Sequence, residues 1–317
     1  MKSSYPVVLR TLSWFIKIAI VIAAACYIYQ KIIHRTDLSG ISKRFSNQFS
    51  TGNGFFIAAF FLLFLNWGLE AFKWKLLLVR LQPLSYLQAV RSVLAGVTTG
   101  VFTPNRAGEF GGRVLSLPPG IRIEASLLSF AGGLLQLLVT VLMALPAVCL
   151  LESTEQLQFR SFPVFYVCMA VSIAGAALLW TFRNRIAPGA KKYYALFQGY
   201  TLRRWIAVFG LSAARYLVFS IQFLLLLYGF GVYLPIGAAC LSIPLVFFAT
   251  TVIPTFALSE IGIRGTASLL FLGLYANDPA GILGASFLLW IINVAFPALA
   301  GAVFVLRADT LFSKTQA

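Results

Sequence analysis

The 317-residue chain is poor in the residues that most chemistry needs: one histidine, four cysteines and nine acids. With His34 as its sole imidazole, a histidine-built metal site or a Ser-His-Asp triad is set aside. Cys26, Cys149, Cys168 and Cys240 fall in apolar runs without a C-x-x-C pair, and read as small buried hydrophobes. The acids form no Asp-rich metal motif, and their one close pair, Glu152 and Glu155, lies between apolar runs. No metal or cofactor is expected. Charge is also scarce, at 11% of residues, and no long polar stretch is left for an extramembrane catalytic domain. A net charge of +16 would suit a nucleic-acid binder, but so few charged residues cannot cover a hydrated surface, so that class is excluded too.

What is present is apolar: 60% of the chain, against roughly 45 to 50% in soluble domains. The fold class expected is an all-α polytopic membrane protein. Six stretches have the length of full spans: 12–30, 55–78, 123–151, 163–182, 206–231 and 280–306. Lys2 and Arg10 precede the first, which lacks a clear cleavage site and reads as an uncleaved anchor. Segment 31–50 places Leu38, Ile41, Phe45 and Phe49 on one helical face, as an interfacial amphipathic helix would. Two further apolar stretches, 88–118 and 237–275, are broken at Thr103-Pro104-Asn105-Arg106-Ala107-Gly108 and at Pro254-Thr255-Phe256-Ala257-Leu258-Ser259. The arm after the first break would cover only about 15 Å, half of a hydrocarbon core, so both read as re-entrant helical hairpins.

Charge bias agrees with that topology. Returning both hairpins to their face of entry collects fourteen basic residues on the cytoplasmic side, Lys73 included, against five opposite. Both termini are then cytoplasmic. The basic, aromatic stretch 183–205, with Tyr193, Tyr194, Phe197, Tyr200 and Trp205, is expected to lie on anionic lipid.

The breaks resemble each other. Each holds a proline, a small residue before a glutamate, then a glycine and an arginine: Pro104 to Arg113 in one, Pro254 to Arg264 in the other. This organises the chain as one membrane domain over 1–317, with repeat halves at about 55–151 and 206–306 and a linking span at 163–182. With opposed entry faces it is the inverted-repeat pattern of secondary transporters. Pro104 and Pro254 would occupy the first turn of half-helices whose free N–H groups attract an anion. Glu109 with Arg113, and Glu260 with Arg264, are spaced i, i+4 on one face. Charges at membrane depth are costly and mark functional sites. The expected lipid-headgroup set is Arg113, Arg264, Glu109, Glu260, Arg106, Asn105 and Ser259. Thr103, Pro104, Gly108, Pro254, Thr255 and Gly262 shape the breaks. Glu70, beside Lys73 and Trp74, reads first as an interfacial residue, and Arg215 needs an acid partner, either Glu70 or Glu260.

T-P-N-R-A-G-E-F-G-G-R at 103–113, Phe72-Lys73-Trp74-Lys75-Leu76-Leu77-Leu78, and P-x-x-x-x-S-E-I-G-I-R at 254–264 resemble the lysylphosphatidylglycerol synthase transmembrane family, or flippase-like domain family, over nearly the whole chain. The resemblance implies a bacterial or archaeal cytoplasmic-membrane protein related to the flippase part of the multiple peptide resistance factor, which moves lysyl-phosphatidylglycerol between leaflets. There, a separate soluble domain attaches the lysine. The last span here ends about ten residues before Ala317, so lipid synthesis is not expected of this chain. The second motif departs from the family: Gly262-Ile263-Arg264-Gly265 lacks the usual following acid, and Glu260 stands upstream instead. The leading expectation is a flippase for an anionic or aminoacylated phospholipid or a polyprenyl-phosphate amphiphile. Open beside it are a transferase acting on polyprenyl-phosphate sugars, with Glu109 or Glu260 as base, and a non-catalytic membrane partner of a lipid-modifying enzyme.

Overall fold

A computed structural model describes residues 53–101, 103, 106–153, 195–253 and 257–306. The expected spans at 12–30 and 163–182, the segment 31–50, His34, and the residues Pro104, Asn105, Pro254 and Thr255 lie outside the described residues. Among the described residues there is no strand. The order is α1 (Asn53–Leu78), α2 (Tyr86–Val101), α3 (Gly108–Arg113), a short 3-10 turn, α4 (Arg122–Ser153), α5 (Leu202–Gly229), α6 (Ile236–Val252), α7 (Ala257–Leu272), α8 (Pro279–Trp290) and α9 (Phe296–Leu306). A π-helical turn, Ile291–Ala295, joins α8 to α9.

Four helices are long and apolar enough to cross a membrane: α1, α4, α5, and α8 continued through the π turn into α9. They match the runs expected at 55–78, 123–151, 206–231 and 280–306. The outer surface is apolar, with Phe61, Phe64, Ile123, Leu202 and Leu299 all exposed, as a hydrocarbon solvent permits. Cys240 shares that exposure, so it is not the buried hydrophobe expected. Its place on α6 faces away from the core.

At the centre, α1 and α5 pack antiparallel along most of their length. Gln222 Nε2 donates to Ala59 O at 2.8 Å, Phe56 lies against Gly229, and Arg215 meets Asn66 and Glu70. Each long helix is followed by a broken pair. In the first, α3 folds back antiparallel on α2: Gly112 lies on Ala95 and Gly96, and Gly108 lies on Thr99. In the second, α7 packs on α6, with Ser242 Oγ donating to Phe271 O at 3.2 Å. The halves then exchange partners. α9 packs antiparallel on α2 through Thr98 Oγ1 donating to Ala298 O (2.7 Å) and through Gly301 against Leu94, while α4 packs on α6.

Tyr200 is buried, not laid on a lipid surface. Its hydroxyl donates to Leu77 O, and Arg80 and Arg204 flank its ring. Burial pushes its phenol above the usual range, so it remains a donor at physiological pH. The aromatic stretch before α5 therefore clamps the end of α1, at least at this residue.

The turn of α3 onto α2 tolerates no side chain at Gly112, where a Cβ would sit 2.0 Å from Thr99 Oγ1. Gly111, one residue earlier, faces open space. Gly112→Ala is expected to destabilise the protein by about 1–3 kcal/mol, and Gly111→Ala not at all. Thermal unfolding in detergent compares the two.

Candidate functional site

A buried charge cluster forms where α1, α3 and α5 meet. Glu70, only 2% exposed, accepts from three cations: Lys73 Nζ at 2.7 Å, Arg113 Nη1 at 2.7 Å and Arg215 Nη1 at 2.9 Å. The interfacial reading of Glu70 and Lys73 is thereby overturned, because both side chains point inward off α1 and are buried. Of the two acids open to Arg215, Glu70 is the partner.

Arg113 is more committed than its i, i+4 spacing suggested. Its nearer carboxylate is Glu70, Glu109 lies at 3.4 Å, its guanidinium lies over Trp74, and its carbonyl accepts from Ser92 Oγ. Trp74 Nε1 in turn donates to Ser92 Oγ at 2.9 Å. The Phe72-Lys73-Trp74-Lys75 motif thus anchors the first hairpin.

The first break is laced by two threonines. Thr103 Oγ1 accepts from the Gly108 N–H at 2.7 Å, and Thr99 Oγ1 donates to Gly108 O at 2.7 Å. Arg106 holds a left-handed backbone, φ 55°, which costs a non-glycine residue about 1–3 kcal/mol. Its guanidinium rests on Glu109 at 2.8 Å. α3 begins at Gly108 and the described part of α7 at Ala257; Pro104 and Pro254, expected in the first turns of these half-helices, lie outside the described residues. α3 has six residues, and its first N–H is already taken by Thr103. At this hairpin the cationic groups are guanidiniums, and the helix terminus offers no free first N–H.

A cavity of about 320 Å³ lies between the two breaks. Arg106 enters it from the first hairpin; Ile253, Glu260 and Arg264 enter from the second; Asn66, Trp67 and Arg215 line it from the α1–α5 pair. Arg264 is 6% exposed and touches Glu260 Oε1 through Nη2, while its Nε and Nη1 have no partner among the described residues. Glu260 Oε2, Arg106 Nη2 and Trp67 Nε1 are likewise unpartnered there. Arg264 lies over the Phe219 ring and Arg215 over Trp67. Arg113 and Glu109 do not line this cavity; they brace its wall. Ser259 and Gly262, in the first turns of α7, are partly buried and also stand off it.

Three uncharged residues had no place in the sequence-based set: Asn66, Gln222 and Asn293. Arg215 Nε donates to Asn66 Oδ1 at 3.0 Å, Asn66 Nδ2 to Asn293 Oδ1 at 2.8 Å, and Asn293 Nδ2 to Gln222 Oε1 at 2.9 Å. Asn293 sits in the π turn, a distortion frequent at functional sites. Across cluster and cavity, five basic side chains (Lys73, Arg106, Arg113, Arg215 and Arg264) face three carboxylates, Glu70, Glu109 and Glu260. Two positive charges are left over among the described residues, in an interior where unpaired charge is costly.

No family model, curated protein or solved structure matches the chain.

Removing the central carboxylate strands the buried Lys73 and the partly buried Arg215, and leaves Arg113 only Glu109. Glu70→Gln is expected to cost about 3–5 kcal/mol, seen as a lower unfolding temperature in detergent. Adding Lys73→Met should recover part of that loss, because one stranded charge is gone. A double variant no better than the single would show that charge imbalance is not the cause.

Proposed function

We propose that the protein carries an anionic amphiphile between the leaflets of a cytoplasmic membrane, with its phosphate-bearing headgroup held in the cavity between the two hairpin breaks. The observation that carries this reading is Arg264: a buried guanidinium with two unpartnered nitrogens, facing a cavity shared by both hairpins and surplus in positive charge. A guanidinium matches the oxygens of a phosphate with parallel N–H donors. The acyl or polyprenyl chains stay in lipid, against the apolar outer surface.

In this reading α2–α3 and α6–α7 are re-entrant hairpins that enter from opposite faces, and both termini are cytoplasmic. The shared order of long helix, broken pair and long helix in each half supports an inverted repeat. Two halves hinged at the α1–α5 contact would expose the cavity to one face and then the other. The resemblance of the 103–113 and 254–264 motifs to the flippase-like domain family supports the same reading. Transport needs no covalent step at Glu109 or Glu260, and the lipid itself is the partner.

The test is leaflet exchange in liposomes, using purified protein and fluorescent anionic phospholipids. The protein is expected to speed exchange, and Arg264→Gln to slow it by about ten- to a hundredfold, the value of a charge-assisted hydrogen bond. No acceleration by the unaltered protein, with any anionic lipid tried, overturns the proposal.

A further inference from the structure

We infer that the headgroup this cavity accepts is a phosphodiester carrying uncharged hydroxyl groups, and that headgroups bearing an ammonium are excluded. The inference rests on the transport reading above and narrows its substrate class.

The first part of the argument is charge. The cavity lining contains three guanidiniums, on Arg106, Arg215 and Arg264, and one carboxylate, Glu260, which already touches Arg264. The carboxylates behind the wall do not restore balance, because Glu70 and Glu109 are shared with Lys73 and Arg113. A ligand ammonium would enter a field that is already positive, where the one carboxylate of the lining, Glu260, is shared with Arg264 through Oε1. Like charge in such a lining repels it. A net anionic headgroup meets the opposite situation.

The second part is the polarity of the uncharged wall. Thr140 Oγ1 donates to Gln136 O at 3.1 Å, and Thr251 Oγ1 donates to Phe247 O at 2.7 Å. Thr250 Oγ1 points its hydrogen at the same turn of α6, with Phe247 O at 2.9 Å. Each hydroxyl has one hydrogen, and each is spent on its own helix. To a ligand these groups can only accept. Gln136 adds to them: its Nε2 donates to Ser212 O at 3.2 Å, while its Oε1 is buried and unpartnered among the described residues. Glu260 Oε2 is a fifth open acceptor.

The cavity therefore offers unpartnered donors on the arginine side and, on the α4 and α6 side, the unpartnered Gln136 Oε1 beside three hydroxyl oxygens still able to accept. A bare phosphate monoester would satisfy the first and leave the buried Gln136 Oε1 without a donor, a penalty in a site built for hydrogen bonds. A phosphate esterified to a polyol satisfies both. That chemistry has two sources: a glycerol headgroup on a diacyl lipid, or a hexose on a polyprenyl phosphate.

Binding of defined lipids to the detergent-purified full chain, followed by native mass spectrometry, separates the possibilities. The probes are phosphatidylglycerol, a polyprenyl-phosphate hexose, phosphatidic acid, phosphatidylethanolamine and lysyl-phosphatidylglycerol. At least one of the first two is expected to bind about tenfold more tightly than each of the other three, and which of them does so names the source. Either ammonium-bearing lipid matching the better polyol lipid overturns the inference, as does phosphatidic acid matching it. Anionic lipids binding without preference removes this inference alone, whereas no binding by any anionic lipid removes the transport reading with it. Gln136→Leu should narrow the preference for the polyol lipid over phosphatidic acid to below about threefold; a preference kept at full size removes the α4 wall from the argument.

Discussion

One buried carboxylate organises this fold. Glu70 sits where a lone ionised group would cost several kcal/mol, and its compensation comes from three cations on three separate elements. Lys73 comes from the next turn of α1, Arg113 from the end of the first hairpin, and Arg215 from α5. Because each must reach the same two oxygens, the position of α3 and the register of α1 against α5 are set together. In an apolar solvent there is little hydrophobic drive to pack one apolar helix on another, so polar contacts and close glycine packing must specify the arrangement. The glycines do their share where α3 meets α2 at Gly108 and Gly112, and where α9 meets α2 at Gly301.

The same interaction reaches the cavity through Arg215. This guanidinium has one nitrogen on Glu70 and another on Asn66, and its face lies on Trp67. Asn66 is held by Asn293, and Asn293 by Gln222, whose amide nitrogen ends the chain on Ala59 O. Every donor in this line points to an acceptor, so the direction of each amide is determined by its neighbour. Arg215 is thus presented to the cavity in one orientation. Asn293 joins the line from within the π turn.

The broad architecture was legible because it depends on local properties. Length and hydropathy located α1, α4, α5 and the α8–α9 run, and the Pro-containing polar interruptions located both breaks. The i, i+4 pairs were legible for the same reason, since helical spacing places Glu260 beside Arg264 whatever surrounds them. Depth was not legible. Glu70 and Lys73 stand a few residues from the end of a span with a tryptophan between them and the loop, a pattern shared by interfacial residues. What buries them is Arg113, forty-three residues away, and Arg215, far beyond it. Asn66, Gln222 and Asn293 did leave a signal: each is an amide inside an otherwise apolar run. An uncharged amide carries less of a penalty in such a run than a charge does, so it stands out less, although it needs partners for the same reason.

The two halves share an element order but not a charge plan, and the difference separates structure from site. Arg113 and Arg264 hold matching places after their breaks, each four residues beyond a glutamate. In the first half Glu70 reaches over from the preceding long helix and occupies Arg113. Aligning the ends of α1 and α5, or the starts of α2 and α6, puts Ile221 or Ser220 at the place of Glu70. Neither can neutralise an arginine. Arg264 therefore keeps Nη1 open where Arg113 has its Nη1 on Glu70, and the cavity forms on its side. A symmetric pair of arginines, each with its own second carboxylate, would give a stable bundle with nothing left to bind an anion. The missing acid in the second half is what leaves Arg264 with unpartnered nitrogens beside the cavity.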